Sequence, residues 1–334
     1  MMTKVAARPS QPAWPASLRF IASRLGSLFL SLLAASLVVF LLVNLLPGDI
    51  AGVILGQNAD PQSVAALRES MNLDEPWPRR YLEWVSGLLR GDLGSSLFTH
   101  QPIAEQLGRR LGVTFSLVVF GMIAAVGIAL PLGAYAAAHR DKPSVTLVSA
   151  LSQLGMAIPA FLAGLLLVIV FSVWLGWLPA NGYVEFMENP LIWAWHLILP
   201  VTSLAAVQGA ILTRYTRSAF VDVLQQDYFR TARAIGWRFR PAIIRHGIRN
   251  ASLQVITVLG LQLASLLVGS IVVERVFSLP GLGSYLISAA GQRDLPVVQS
   301  VVMILVALVL IINTLVDIVY RMLDPRLKAV EEAA

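Results

Sequence analysis

Six long apolar runs alternate with polar segments of unequal length along this chain. They extend from Gly26 to Leu46, Val113 to Ala138, Thr146 to Trp174, Leu197 to Thr213, Leu253 to Val273 and Val297 to Tyr320. A helix rises about 1.5 Å per residue and a bilayer's hydrocarbon core is about 30 Å thick, so about 20 apolar residues cross it. The pattern predicts an all-α membrane protein with six transmembrane helices, over residues 25–46, 113–138, 146–174, 197–213, 251–273 and 297–320. The first run exceeds the roughly 7 to 15 apolar residues of a signal peptide and reads as a retained span. The third, about 29 residues long, is more than a perpendicular crossing needs. Pro159, within Ala157-Ile158-Pro159-Ala160-Phe161, predicts where it bends. Pro131 and Pro200 lie inside the second and fourth runs, where neighbouring helices can re-satisfy the backbone.

The polar segments have structure of their own. Residues 47–112 form an extended loop between the first two spans, and Asp60-Pro61 reads as a cap and a first-turn proline for a helix over Gln62 to Met71. Leu73-Asp74-Glu75-Pro76 closes it. Tyr81, Leu82, Trp84, Val85, Leu88 and Leu89 then recur near helical period, an amphipathic helix suited to a membrane surface and ended by Gly91-Asp92-Leu93-Gly94. Trp174, Trp177, Trp193 and Trp195 flank residues 175–196 as an interfacial aromatic belt. Phe277-Ser278-Leu279-Pro280-Gly281-Leu282-Gly283 marks a turn-rich strip within 274–296.

Charge decides which way the helices run. Of 25 Lys and Arg, 17 fall on one side of the six-span layout and 8 on the other, six of those eight in the single long loop. Short loops rich in Lys and Arg stay on the cytoplasmic side. Both tails, 1–24 and 321–334, and the loop 214–250 are therefore expected in the cytosol, with 47–112, 175–196 and 274–296 outside. The composition agrees, at 57% hydrophobic and 13% charged against roughly 25% charged in soluble domains. A net charge of +6 then reports membrane sidedness, and no nucleic-acid partner is expected. With no cysteine and four scattered histidines (His100, His139, His196, His246), neither a disulfide framework nor a metal site is expected. Without a G-x-S-x-G elbow either, nothing supports an intramembrane enzyme.

The loop 214–250 holds eight arginines against Asp222 and Asp227. At its centre Thr231, Ala232 and Ala234 predict a short helix whose backbone can approach another protein closely. Gly236 is placed to end that helix in a left-handed cap, and Pro241 suits the first turn of the next. The competing reading is a polybasic segment held to anionic lipid, with Arg214 and Arg217 as interfacial anchors. Among polar residues near the spans, Asp317 lies four positions before Arg321 and is expected to pair with it. Gln254, Gln262 and Asn313 either line a pathway or form interhelical hydrogen bonds. The glutamates of the outer loops are either solvated faces or contacts for a binding protein.

Seven spaced motifs carry a resemblance. They are Leu45-Leu46-Pro47-Gly48-Asp49, Gly91-Asp92-Leu93-Gly94-Ser95-Ser96, Leu175-Gly176-Trp177-Leu178-Pro179-Ala180, Asp227-Tyr228-Phe229-Arg230-Thr231-Ala232-Arg233-Ala234-Ile235-Gly236, Arg245-His246-Gly247-Ile248-Arg249-Asn250, Val276-Phe277-Ser278-Leu279-Pro280-Gly281-Leu282-Gly283 and Leu323-Asp324-Pro325-Arg326. From about Arg19 to Leu327 the chain resembles a membrane permease subunit of an ATP-binding-cassette importer, in the dipeptide, oligopeptide and nickel branch. The resemblance implies the type I importer permease fold and a coupling helix seated in a cleft of a separate ATPase. It implies as coupling residues Asp227, Tyr228, Arg230, Thr231, Ala232, Arg233, Ala234, Gly236, Arg245 and Asn250. Arg230 and Thr231 stand where the generic motif has Glu and Ala, Ile235 replaces a lysine, and Arg249-Asn250 stand in place of Leu-Pro.

The implied partners are a second related permease, two ATPase subunits, an extracytoplasmic substrate-binding protein and the lipid bilayer of a bacterial cytoplasmic membrane. Peptides are the most frequent cargo implied, with nickel complexes, glutathione and sugars on the same scaffold. No cofactor is expected on this chain, with ATP and Mg on the partner subunits. Independently, Lys4, Lys142 and Lys328 are the only lysines and none follows a glycine, so a phosphate-cradling G-x-x-x-x-G-K-[ST] loop is missing. The alternative is an ion-coupled secondary transporter, which calls for ionisable groups near the bilayer midplane.

Overall fold

The computed structural model of the protein describes residues 16–45, 60–70 and 74–323. The first 15 residues, the Leu46-Pro47-Gly48-Asp49 part of the first motif, Leu73, and Asp324-Pro325-Arg326 lie outside the described residues. The elements are α1 (Ala16–Leu45), α2 (Pro61–Ser70), α3 (Trp77–Arg90), α4 (Ile103–Ala138), α5 (Pro143–Ala157) and α6 (Ala160–Leu167), the last continued by a π-helical turn over Val168–Trp174. There follow α7 (Pro190–Gln225), α8 (Asp227–Ala234), α9 (Phe239–Ala242), a π-helical turn over Ile243–Gly247, α10 (Ile248–Val276), α11 (Leu282–Gln292) and α12 (Leu295–Leu323). Among the described residues there is no strand, only an isolated bridge between Ser95 and Pro102.

Among the described residues, five stretches are long and apolar enough to cross a membrane: Phe20–Leu45, Ile103–Ala138, Pro190–Gln225, Asn250–Val276 and Leu295–Arg321. The third predicted span is instead a pair, Pro143–Ala157 and Ala160–Trp174, bent by 106°. Its break falls at the predicted proline. Ile158, the residue before Pro159, is forced out of the α region to ψ 123° by the proline ring.

Two helices overrun the spans assigned to them. At 36 residues each, α4 and α7 are about 54 Å long, well beyond the hydrocarbon core. The excess of α4 lies at its start, where residues 103–112 of the outer helical loop are continuous with the span. The excess of α7 includes its end, where Arg214 to Gln225 continue the helix that the arginine-rich sequence assigned to a loop. Charged and polar residues on a helix that has left the membrane incur no bilayer penalty, and α7 keeps Ala219, Phe220 and Val223 buried to hold it in register.

The most extensive helix contact is α4 against α7. They run parallel, with Gly121 against Leu204 and Gly133 against Thr216. Antiparallel to both, α10 brings Leu266 to Gly121 and Glu274 to Thr114. The core is closed by Leu117, Leu204, Leu212, Leu266 and Phe277, all at most 1% exposed. The broken pair α5 and α6 lies on α7, α12 lies on α10, and α1 packs mainly on α12. Phe29, Leu30 and Leu42 leave α1 with an exposed apolar face.

At one end of α1, the amphipathic α3 docks through Tyr81, whose hydroxyl is 2.8 Å from Ser36 Oγ. Phe40, Tyr81 and Trp84 form an aromatic cluster. Leu82 and Leu89 remain exposed, and Gly91, at φ 80°, caps the helix.

Candidate functional site

At the end of α7, Gln226 turns to ψ 147° and α8 starts at once with Asp227 in its first turn, favourable beside the positive end of the helix dipole. Phe229 and Ala232, one turn apart, are 4% and 6% exposed. They pin the helix to its own chain, and Phe229 meets the edge of the Phe239 ring at 6.1 Å. Gly236, at φ 95°, closes α8. Trp237 N–H donates to Ala232 O at 3.1 Å and Gly236 N–H to Arg233 O at 3.2 Å, the paired bonds of a Schellman motif. Arg233 reinforces the turn by donating from Nη1 to Trp237 O at 2.7 Å and lying over the Phe239 ring.

These contacts sort the residues that the sequence assigned to docking. Tyr228, Arg230, Thr231, Ala234 and Gly236 are exposed, as is Asp227. Ala232 is not on that outward face, because it faces the anchor together with Phe229. Arg233 and Arg245 are directed onto aromatic rings of the same loop, Phe239 and Trp237 respectively. Asn250 is exposed at the start of α10. Ile235, noted in the sequence only as a departure, is 72% exposed and joins Tyr228 and Thr231 on an outward surface. An i, i+3, i+7 spacing of Tyr228, Thr231 and Ile235 was available as its signal. Further back, Arg217 donates to Ser149 Oγ at 3.2 Å, tying α7 to α5.

The candidate pathway residues lie on α10 and α12. Gln254 and Asn313 are exposed and Gln262 is half-buried, with its Oε1 buried and without a partner. Gln208, not singled out by the sequence, is also buried with an unpartnered Oε1. Asp317 is met at 3.0 Å by Arg24 of α1, while Arg321 lies over the Phe20 ring at 3.8 Å.

A second constellation sits at the opposite end of the bundle, and sequence reasoning missed it. Glu274, 0% exposed, accepts from Thr114 Oγ1 at 2.6 Å through Oε1 and from Ser284 N at 3.0 Å through Oε2. Thr114 Oγ1 in turn accepts from Leu282 N at 2.9 Å. The carboxyl thus caps the first turn of α11, where backbone N–H groups lack helical partners. Gly281 is required there, since a Cβ would overlap the Glu274 carboxyl. Nearby, Asp294 accepts from Ser96 Oγ at 2.6 Å and from Leu97 N at 3.3 Å, joining the Gly91–Ser96 motif to the start of α12.

Between these two carboxyls lies a cavity of about 380 Å³ lined by Ser96, Arg110, Glu274, Arg275, Tyr285 and Asp294 among others. The Arg110 guanidinium stands 4.1 Å from the centre of the Tyr285 ring and donates to Gln106 Oε1 at 3.4 Å. Burial raises the Tyr285 phenol above its ordinary pKa, against the opposing pull of Arg110. No single residue type gave this cluster away in the sequence, because its members are brought together across more than 150 positions.

Residues 129–329 match the family described as "Binding-protein-dependent transport system inner membrane component", and residues 17–118 match the amino-terminal membrane component of the same systems. The chain belongs to this family. A protein of Brucella abortus (strain 2308) named as a peptide transport system permease is 41% identical over 89% of this chain and 95% of its own. The glutathione transport system permease protein GsiC of Salmonella typhimurium is 39% identical over 93% of this chain and 99% of its own. In fold, the permease is similar to the MetNI methionine ABC transporter in its inward-facing form, with a TM-score of 0.54 at 18% identity, over 65% of this chain and 96% of that one. It is a multi-pass inner-membrane permease subunit of an ATP-binding-cassette importer of the peptide branch.

Proposed function

We propose that the permease forms half of a translocation pathway for di- or oligopeptides, paired with a second related permease and driven by two ATPase subunits. The names of its relatives support peptide or glutathione cargo. In this reading the bent pair α5 and α6 counts as one broken span, giving six, with both termini and α8 in the cytosol, as the distribution of Lys and Arg favours. An extracytoplasmic binding protein delivers cargo at the end carrying α11.

The observation behind the reading is the build of α8. One face is anchored by Phe229 and Ala232, one end is locked by Gly236, and Tyr228, Thr231 and Ile235 are left outward. A segment held to lipid by its arginines does not need such an anchor. Arg233 and Arg245 lie over Phe239 and Trp237 respectively, which serves the fold of the loop. ATP-driven closure of the ATPases would pull on α8, and α7 would transmit the pull to the spans. Asp317, the ionisable residue an ion-coupled mechanism would call on, is paired with Arg24 and half exposed.

The test is Ile235→Asp in the assembled, reconstituted transporter. The variant is expected to fold and reach the membrane, because Ile235 touches solvent, while ATPase binding falls by about tenfold or more and uptake stops. Unchanged uptake and unchanged ATPase binding would dismiss docking through this face.

A further inference from the structure

The cavity beside α11 has polar walls whose hydrogen-bonding capacity is unequally occupied. Both oxygens of Glu274 and both oxygens of Asp294 already accept from donors within the chain. The donors are less engaged. Arg110 makes only a 3.4 Å bond to Gln106 and has no carboxylate at ion-pair distance among the described residues. Tyr285 Oη is buried and has no partner. Arg275 lines the same cavity and is exposed. The Tyr285 ring holds the guanidinium in one plane, which preserves the fork that a carboxylate matches with two parallel bonds.

This cavity has its spare hydrogen-bonding capacity on its donors. We propose that it is a carboxylate-binding subsite, in which Arg110 and the Tyr285 hydroxyl grip the group and Arg275 draws it in from the rim. The subsite rests on the importer reading for its two available sources: the free carboxyl terminus of a peptide cargo, and an acidic side chain of the docked binding protein. A cation is disfavoured, since it would face two guanidinium groups and carboxyls already bonded elsewhere. The volume, about 380 Å³, is at the lower end of small-molecule sites and admits a terminal residue or one side chain, not a whole oligopeptide.

The experiment uses the complete transporter in lipid nanodiscs, as wild type and as Arg110→Gln, Arg110→Lys and Tyr285→Phe. Two titrations are made, one with a tripeptide and its carboxyl-terminal amide, the other with ligand-free binding protein at low and high salt. A cargo carboxylate predicts that wild type binds the acid over the amide by about tenfold and that Arg110→Gln erases the preference. A receptor carboxylate predicts equal binding of acid and amide, and docking of the receptor weakened about tenfold at low salt by Arg110→Gln. Either result supports the subsite. Arg110→Lys, which keeps the charge and loses the fork, should recover only part of the effect, and Tyr285→Phe should weaken it about threefold while keeping the ring beneath Arg110. If all three variants assemble and both titrations match wild type, the proposal is overturned. ATP-driven uptake by the same wild-type preparation reports separately on the importer reading, whose failure leaves the binding titrations to decide the subsite.

Discussion

Replacing Thr114 with Val keeps the shape of the side chain and removes one hydroxyl, which makes it a sharp probe of how α11 is held. That hydroxyl donates to Glu274 at 2.6 Å and accepts from Leu282 N at 2.9 Å, and Thr114 is 1% exposed. Losing the bond to the carboxyl costs about 1 kcal/mol if the acid is neutral and up to about 3 kcal/mol if it is charged. Leaving the Leu282 N–H buried without an acceptor costs about 1 to 3 kcal/mol more. The sum centres near 4 kcal/mol, roughly a thousandfold in the ratio of folded to unfolded protein. Thr114→Ser keeps the hydroxyl and loses a methyl group worth about 1 kcal/mol, so it is the matched control. Unfolding of both variants by heat and by denaturant in the same detergent should place Val well below Ser. If the two unfold within about 1 kcal/mol of each other, the hydroxyl does not bridge α4, α10 and α11 and the reasoning fails.

Three further outcomes follow from the geometry. At Gly236 a Cβ would touch nothing within 4 Å, so only the positive φ matters: Gly236→Val should cost about 1 to 2 kcal/mol and uncouple ATP hydrolysis from uptake, while Gly236→Asn should be mild; equal activity of the two in a coupled assay contradicts the cap. Phe229→Ala should destabilise by about 3 kcal/mol or more through the cavity it leaves and abolish ATPase binding by loosening α8, read by thermal unfolding and pull-down. Arg24 and Asp317 are 42% and 47% exposed, so Asp317→Asn should change stability by less than about 1 kcal/mol and leave ATP-driven uptake intact; a collapse of uptake would favour an ion-coupled mechanism.

The parts legible in the sequence are those fixed by local rules. Apolar run length located the long apolar helices, the steric demand of Pro159 located the bend, and the freedom of Gly236 located the end of α8. What escaped was set by contacts between distant positions. Ala232 reads as a small outward residue, yet its spacing from Phe229 turns it inward once both belong to one short helix. Arg214 to Gln225 read as a loop because their charge forbids the bilayer, whereas the helix simply continues after leaving it. Glu274 reads as an outer-loop acid, either solvated or a contact for a binding protein, and only the approach of Thr114 and the glycine at position 281 reveals it as buried. Arg110 and Tyr285 have no periodic signature in common.

An unbroken α7 also settles where the machine is stiff. From its buried contacts on α4 the helix runs without a break to Gln226, whose extended backbone separates it from α8. If α8 docks as proposed, a tilt of a few degrees carried along the roughly 54 Å of α7 would displace its far end by several ångströms, less whatever Pro200 absorbs. On the proposed coupling, two glycines inserted into Arg214 to Gln225 would make this stretch a slack tether, and ATP hydrolysis in the reconstituted transporter should continue while uptake falls.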